Sequence, residues 1–305
     1  MAWLQLSIDS SETEAPLLEL VFENLGALSV TLGDAGNQPL LEIPPESEQL
    51  WEHTRVTALF EGHQNPLTLR SALAAALDER LIQRLHWERI EDQIWERVWL
   101  EHFKPMSFGR RLWVCPEGAS IDQADEDAAV IQRDPGLAFG TGTHPTTALC
   151  LEWLDAQDLQ GKTLIDYGCG SGILAIAALK LGALSVVAVD HDPQALEASK
   201  NNAEKNGVAD RLKTYLPDGT SDRQFDLLVA NILAGPLIQL APTLAQLIIP
   251  GGHFALSGIL AEQQLEVATR YQSFASLTNP KQRQEWILIS GTTPTHWSDT
   301  STVFN

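Results

Sequence analysis

Positive charge is what this sequence has least of. Lys and Arg together number 20 among 305 residues, against 40 Asp and Glu, a formal net charge of −20 at pH 7. No Lys or Arg precedes Arg55, while the first 54 residues hold ten carboxylates. A general phosphate-backbone binder needs clustered cations, so direct nucleic-acid binding is not expected. The acidic start is either a solvated surface that aids solubility or a docking surface for a basic partner, and charge alone leaves both open. Cysteine is scarce as well. Cys115, Cys150 and Cys169 are odd in number, widely spaced and lack a Cys-x-x-Cys, which excludes a disulfide framework and a cysteine-based zinc site. The opening MAWLQLSIDS has no basic segment and no apolar run, so no secretory signal is expected. Leu227 to Ala261 carries no charged side chain, yet Asn231, Pro236, Pro242 and Pro250 interrupt any run of about 20 apolar residues able to span a bilayer. A soluble, cytoplasmic protein without membrane contact is expected.

What is present suffices for a folded core: 44% of residues are hydrophobic. Trp3–Ile8 alternates as a strand, residues 12–26 carry apolar residues at helical spacing up to Gly26, and Ala27–Leu32 reads as a second strand. Arg55–Phe60 reads as a third, Leu67–Leu81 as a helix, and Trp87–Ile90 as a short fourth strand. The order β-α-β-β-α-β is that of a small α+β ferredoxin-like domain over residues 1–90. Residues 91–104 follow as an amphipathic connecting helix, with Ile94, Trp95, Val98 and Trp99 on one face. From residue 105 the pattern changes. A hairpin-like pair (Arg111–Cys115, Ala128–Arg133) precedes a Gly/Thr-rich loop and a helix near Pro145–Ala156. Strands and helices then alternate to about residue 292, which predicts an α/β doubly wound, mostly parallel seven-stranded sheet with its ligand at the strands' carboxyl ends. The polar tail 293–305 carries no motif.

The strongest local signal is Thr163-Leu-Ile-Asp-Tyr-Gly-Cys-Gly-Ser-Gly172: a strand, Asp166, then glycines at 168, 170 and 172 before an apolar helix. Glycines there let the backbone approach a ligand and free its amides. The dinucleotide fingerprint G-x-G-x-x-G would need glycine at position 173, which is Ile173. G-x-G-x-G after an Asp is instead the pattern of S-adenosylmethionine (SAM) methyltransferases. The next strand ends in Asp190, placed to accept both ribose hydroxyls of a nucleoside, while Asp192 serves as well or better as the following helix cap.

A third strand delivers Asn231, followed by Ile232-Leu233-Ala234. Nitrogen methyltransferases often place Asp or Asn with a proline-aromatic pair there; this chain lacks the aromatic clamp for a flat base. In Asp134-Pro-Gly-Leu-Ala-Phe-Gly-Thr-Gly-Thr-His-Pro-Thr-Thr147, Thr143 or His144 can cap a helix with Pro145 in its first turn. The same loop can cover a cofactor with Thr147 in contact, and His144 is a candidate base. Gly161-Lys162-Thr163 is not a phosphate loop, because Ala156 stands where that motif needs glycine and the triplet precedes its strand.

These segments, together with WERVWLEHFKPMSFGRRLWVCP and LSGIL, resemble the bacterial ribosomal protein L11 methyltransferase (PrmA) family from Trp3 to about Gly291. Tyr167, where Phe or Val is more usual, and a longer tail are the departures. The resemblance implies a class I SAM-dependent enzyme that trimethylates lysine ε-amino groups and the N-terminal α-amine of one basic large-subunit ribosomal protein. It implies a first domain that binds this substrate, and cofactor contacts at Thr147, Gly168, Asp190 and Asn231, to which the glycine pattern adds Gly170. Asn231 is expected to orient the acceptor amine. The rival readings are a nucleic-acid N-methyltransferase, an NAD-dependent oxidoreductase and a non-catalytic SAM-binding assembly module.

Overall fold

The computed structural model describes residues 3–36, 50–90, 104–116, 127–133, 144–220 and 223–296. The connecting helix expected at 91–104, all but its last residue, most of the Gly/Thr-rich loop and the tail beyond residue 296 lie outside the described residues. The chain divides into two compact units, Met1–Ile94 and Trp95–Asn305.

In the first unit β1 (Trp3–Ser11), β2 (Ser29–Asp34), β3 (His53–Glu61) and β4 (His86–Ile90) form one antiparallel sheet ordered β2-β3-β1-β4. Alternation along β1 turns Leu4, Leu6 and Ile8 inward, as the period of a half-buried strand requires. They meet Leu18 and Phe22 of α1 (Ala15–Asn24) and Leu69 and Leu73 of α2 (Pro66–Ala76). Phe22 stands edge-on to Phe60 of β3 with ring centroids 6.5 Å apart. The single helix expected over Leu67–Leu81 is two. Leu77 is extended, and Asp78 starts α3 (Glu79–Arg84) by accepting from the backbone N–H groups of Arg80 and Leu81. Periodicity bridges such a break because both pieces bury leucines on the same core.

The second unit opens with β5 (Met106–Phe108), β6 (Leu112–Pro116) and β7 (Ala129–Arg133). Here the expected hairpin is corrected: β6 pairs with β7 in parallel, and its antiparallel partner is β5. The buried carboxylate of Asp155, at the end of α4 (Pro145–Asp155), accepts from the N–H groups of Arg110, Arg111 and Leu112 and so fixes the turn between β5 and β6.

The main sheet contains β8 (Thr163–Tyr167), β9 (Ser185–Val189), β10 (Leu212–Tyr215), β11 (Phe225–Asn231), β12 (Ile248–Leu260), β13 (Ser276–Leu277), β14 (Lys281–Arg283) and β15 (Trp286–Thr292). Its order is β10-β9-β8-β11-β12-β15-β13, a path of seven strands, with β14 as an additional partner of β15. Strands β8 to β12 pair in parallel and β15 runs against β12, β13 and β14. Short, exposed β14 has no hydrophobic signature and is absent from the pattern read in the sequence. From β8 the chain winds outward through β9 and β10, then returns to place β11 on the other side of β8. This reversal opens a crevice at the carboxyl ends of β8 and β11, the place where doubly wound sheets bind ligands. Helix α5 (Ile173–Lys180), apolar and buried from Ile173 to Leu179, packs in the core beside it.

Candidate active site

Strand β8 ends at Tyr167, whose neighbours in register are Val189 of β9 and Ala230 of β11. The next residue on each strand is therefore Gly168, Asp190 or Asn231, and residues 22 and 63 positions apart along the chain reach one edge because the sheet pairs them. The N–H groups of Gly168 and Cys169 donate to the Val189 carbonyl at 2.8 and 3.0 Å. Gly168 (φ +81°) lies so close to Ile232 that an added Cβ would stand 2.3 Å from its Cγ2. Gly170 (φ +52°) differs: an added Cβ would meet nothing within 4 Å, so this part of the loop faces open space.

The loop is held from below by α6 (Pro193–Lys205). Ser199 Oγ donates to the Gly170 carbonyl at 3.0 Å, and Asn202 Nδ2 to the Ser171 carbonyl at 2.9 Å. Asp192 caps α6 by accepting from Gln194 N–H, which leaves Asp190 free of that duty. Asp190, itself buried, accepts from Gly170 N–H at 2.9 Å through Oδ2 and from Asp192 N–H at 3.0 Å through Oδ1.

A cavity of about 680 Å³ opens over this edge, within the range of pockets that enclose small molecules and cofactors. Four of the five expected residues, Thr147, Gly168, Gly170 and Asn231, line it; Asp190 does not, and touches it through its bond to Gly170. Asn231 Nδ2 donates to Thr147 Oγ1 at 3.4 Å, joining β11 to the start of α4. His144 is the cap of α4: Nδ1 accepts from Thr146 N–H at 3.4 Å and lies 2.7 Å from Thr146 Oγ1. Leu216–Asp218 does not belong to the lining; Pro217–Thr220 forms a short 3-10 turn after β10.

The sequence reading missed Trp286. This residue begins β15, more than a hundred positions from the glycine loop, and lines the cavity with its ring 5.2 Å from the His144 ring at 63°. Its Nε1–H donates to Glu285 Oε1 at 2.9 Å. An isolated tryptophan among nine offers no signal of this placement. Ser199 and Asn202 were missed for a similar reason, since they act through backbone carbonyls. Asp166 is fully buried at the end of β8. It accepts from Ala175 N–H at 3.1 Å through Oδ2, while Oδ1 has no partner among the described residues. Burial raises its pKa to about 7, with the bond from Ala175 opposing and the Asp190 charge adding to the rise. Burial likewise pushes the Cys169 thiol up to about 12, so it is no thiolate nucleophile. Among the described residues no group of His, Cys, Asp and Glu is arranged to hold a metal ion.

The reversed strand order, the glycine loop beneath an open cavity and the carboxylate at the next strand's end define a class I SAM-dependent methyltransferase. The chain belongs to the ribosomal protein L11 methyltransferase (PrmA) family, whose model matches residues 2–294. It is 50% identical over 295 residues to the ribosomal protein L11 methyltransferase of Hahella chejuensis, covering 95% of this chain and 98% of that one. To that of Methylococcus capsulatus it is 51% identical over 290 residues, again 95% of this chain and 98% of the relative. Among solved structures it resembles the ribosomal protein L11 methylase of Lactobacillus delbrueckii subsp. bulgaricus at 31% identity and a TM-score of 0.56, covering 63% of this chain and 98% of that one. No described helix is long and apolar enough to cross a membrane.

Proposed function

We propose that the protein transfers methyl groups from SAM to lysine ε-amino groups and the N-terminal α-amino group of ribosomal protein L11, in the cytoplasm and without binding nucleic acid directly. The observation that carries this reading is the meeting of the glycine loop, Asp190 and Asn231 at the reversal point of the sheet. In this reading residues 1–90 recognise the substrate, 91–104 connect, 105–292 catalyse, and the tail 293–305 has no assigned part.

When bound, SAM supplies a methyl group on a sulfonium whose departure needs no proton. Alignment then provides most of the rate, and the chain's task is to hold and aim. Gly168 and Gly170 offer backbone without side chains, and the open space above Gly170 suits a ligand pressed against the loop. Asp190 accepts one backbone N–H on each oxygen, with the His191 Nδ1 also 3.3 Å from Oδ1, and a carboxylate has about four acceptor sites, so capacity remains for ribose hydroxyls, most of it on Oδ2. Thr147 supplies a hydroxyl from the start of α4. Because the Asn231 amide NH₂ is turned to Thr147, its Oδ1 is the acceptor left for an amine N–H. One such bond aims the lone pair of a primary or secondary amine. A dimethylated amine has no N–H left, so the cavity walls alone aim the third transfer. Each ammonium gives its proton to water before the next attack, so no separate general base is required. An α-amine, with a pKa of about 7.7–8.0, loses its proton readily near neutrality. A lysine, near 10.4, needs the desolvation that walls such as Ile232, Leu233 and Trp286 provide. The same apolar walls leave room for repeated methylation.

The test is incubation with methyl-labelled SAM and either free L11 or ribosomal RNA, followed by mapping of the labelled atoms. Label on protein amines alone is expected. Label on RNA, or none on L11 in the presence of bound SAM, overturns the reading.

A further inference from the structure

Ile232 is the one residue between β11, which ends at Asn231, and Leu233, the N-cap of α7 (Ala234–Gln246). It belongs to neither element, so the shape of its surroundings fixes its place. Two glycines supply that shape, one from each strand that flanks β11. Gly168 follows β8, and an added Cβ there would stand 2.3 Å from Ile232 Cγ2. Gly258 follows Ser257, the register partner of Asn231 on β12. A Cβ on Gly258 would stand 2.3 Å from the Ile232 carbonyl oxygen, 2.8 Å from its carbon and 3.2 Å from its nitrogen. Both glycines have left-handed backbone, with φ of +81° and +84°. Gly258 also lies where the register of β12 against β15 shifts, between Leu256 and Ile259. A bulge of this kind interrupts regular pairing to re-aim the chain. The sheet thus gives up regular backbone at two places, and both meet at one isoleucine.

We propose that Ile232 is a positioning residue for methyl transfer: wedged between Gly168 and Gly258, its branched Cβ sets the distance of Asn231 from the cofactor loop. The proposal rests on the function given above. Gly168 belongs to the loop that receives SAM, and Asn231 carries the oxygen that aims the amine. Ile232 meets the first through Cγ2 and is joined to the second by a peptide bond. Close-packed atoms compress little, so a contact of this kind transmits position. Position matters here, because a misplacement of about 1 Å between reacting groups can cost about 100-fold in rate. The bond from Asn231 to Thr147, at 3.4 Å, is long and does not fix the amide alone. Apolar volume and a branch at Cβ are separable properties of Ile232. Drying the amine needs the first, and alignment needs the second.

The experiment uses the full-length chain with purified L11 and SAM, and compares two conservative variants. Ile232→Val keeps both branches at Cβ and loses the terminal methyl. Ile232→Leu keeps the volume and moves the branch to Cγ. Ile232→Leu is expected to lower kcat about 10- to 100-fold, with KM for L11 and the calorimetric affinity for SAM unchanged. Ile232→Val is expected to stay near wild type. Because Asn231 guides lysine and α-amine alike, both products should fall together in Ile232→Leu. A wall that acts only by excluding water gives the opposite order: Ile232→Val loses more than Ile232→Leu, and lysine transfer suffers more than α-amine transfer. That order, or equal kcat in all three proteins, refutes the positioning role and leaves the function standing. Loss of SAM binding in Ile232→Leu refutes it too, since the role claimed is in aim. If wild type binds SAM and methylates no amine of L11, the function itself falls and the inference with it.

Discussion

Asn231 at the end of β11 and Thr147 in the first turn of α4 are 84 positions apart, and the Asn231 amide donates to the Thr147 hydroxyl at 3.4 Å. That bond joins the cavity wall between a strand end and a helix start and sets which end of the amide points away from Thr147. Removing the amide should disturb aim more than binding. Asn231→Ala is expected to lower kcat about 100-fold, the scale of a 1 Å misplacement of reacting groups. Thr147→Val, which loses a single hydrogen bond worth about 1 kcal/mol, should cost about fivefold. Steady-state methylation of L11, with calorimetry of SAM binding alongside, checks both; full activity in Asn231→Ala would remove the residue from the mechanism.

Gly168 and Ile232 are in contact at a point where no side chain fits. Gly168→Ala places a Cβ 2.3 Å from Ile232 Cγ2 at a φ of +81°. Left-handed backbone alone costs a non-glycine residue about 1–3 kcal/mol. We expect a lower denaturation midpoint and loss of SAM binding. Adding Ile232→Ala should recover the part due to collision and leave the part due to backbone strain, a coupling that a double-mutant cycle in urea would measure.

Asp190 is tied to the glycine loop through Gly170 N–H, and in the proposed function it holds the ribose. Asp190→Ala is expected to weaken SAM binding about 10- to 100-fold, since hydrogen bonds to a charged group are worth about 1.5–3 kcal/mol. Asp190→Asn keeps an acceptor for Gly170 and should lie between that variant and wild type. Calorimetric dissociation constants in that order support the role; equal affinity in all three proteins removes it.

Asp166 makes folding stability depend on pH. Its pKa rises from an ordinary 3.8 to about 7 on burial, so between those values the folded chain holds a proton that the unfolded chain has released. The stabilisation from that proton is complete below about pH 4 and is lost as the pH climbs through about 7. Asp166→Asn retains an oxygen for Ala175 N–H and cannot ionise. Wild type should therefore lose more of its urea midpoint between pH 5 and pH 8 than the variant does; parallel profiles would show that Asp166 is ionised in the folded protein throughout.

Much of this was legible beforehand because the signals are local. The glycine loop announces itself by composition, and Asp190 and Asn231 each follow a short apolar run of the kind that buried parallel strands carry. Asp192 as the cap of α6 follows from its place before Pro193. What failed was non-local. Whether β6 meets β7 in parallel, whether a helix pauses at Leu77, and that β14 joins β15 depend on partners that no window of sequence contains.

The chain by itself determined the chemistry on offer: which residues are free of side chains, which carry oxygens at strand ends, and where acid accumulates. These follow from composition and from periods of two and 3.6 residues, which sterics impose on any segment. Tertiary structure alone decided who stands beside whom. It brought Trp286 against His144, set Ser199 and Asn202 beneath the glycine loop, buried Asp166 away from water, and left Leu17 and Leu20 exposed. The reason is that strand order and burial are properties of the whole packed sheet, fixed only when every hydrophobic face has found its partner.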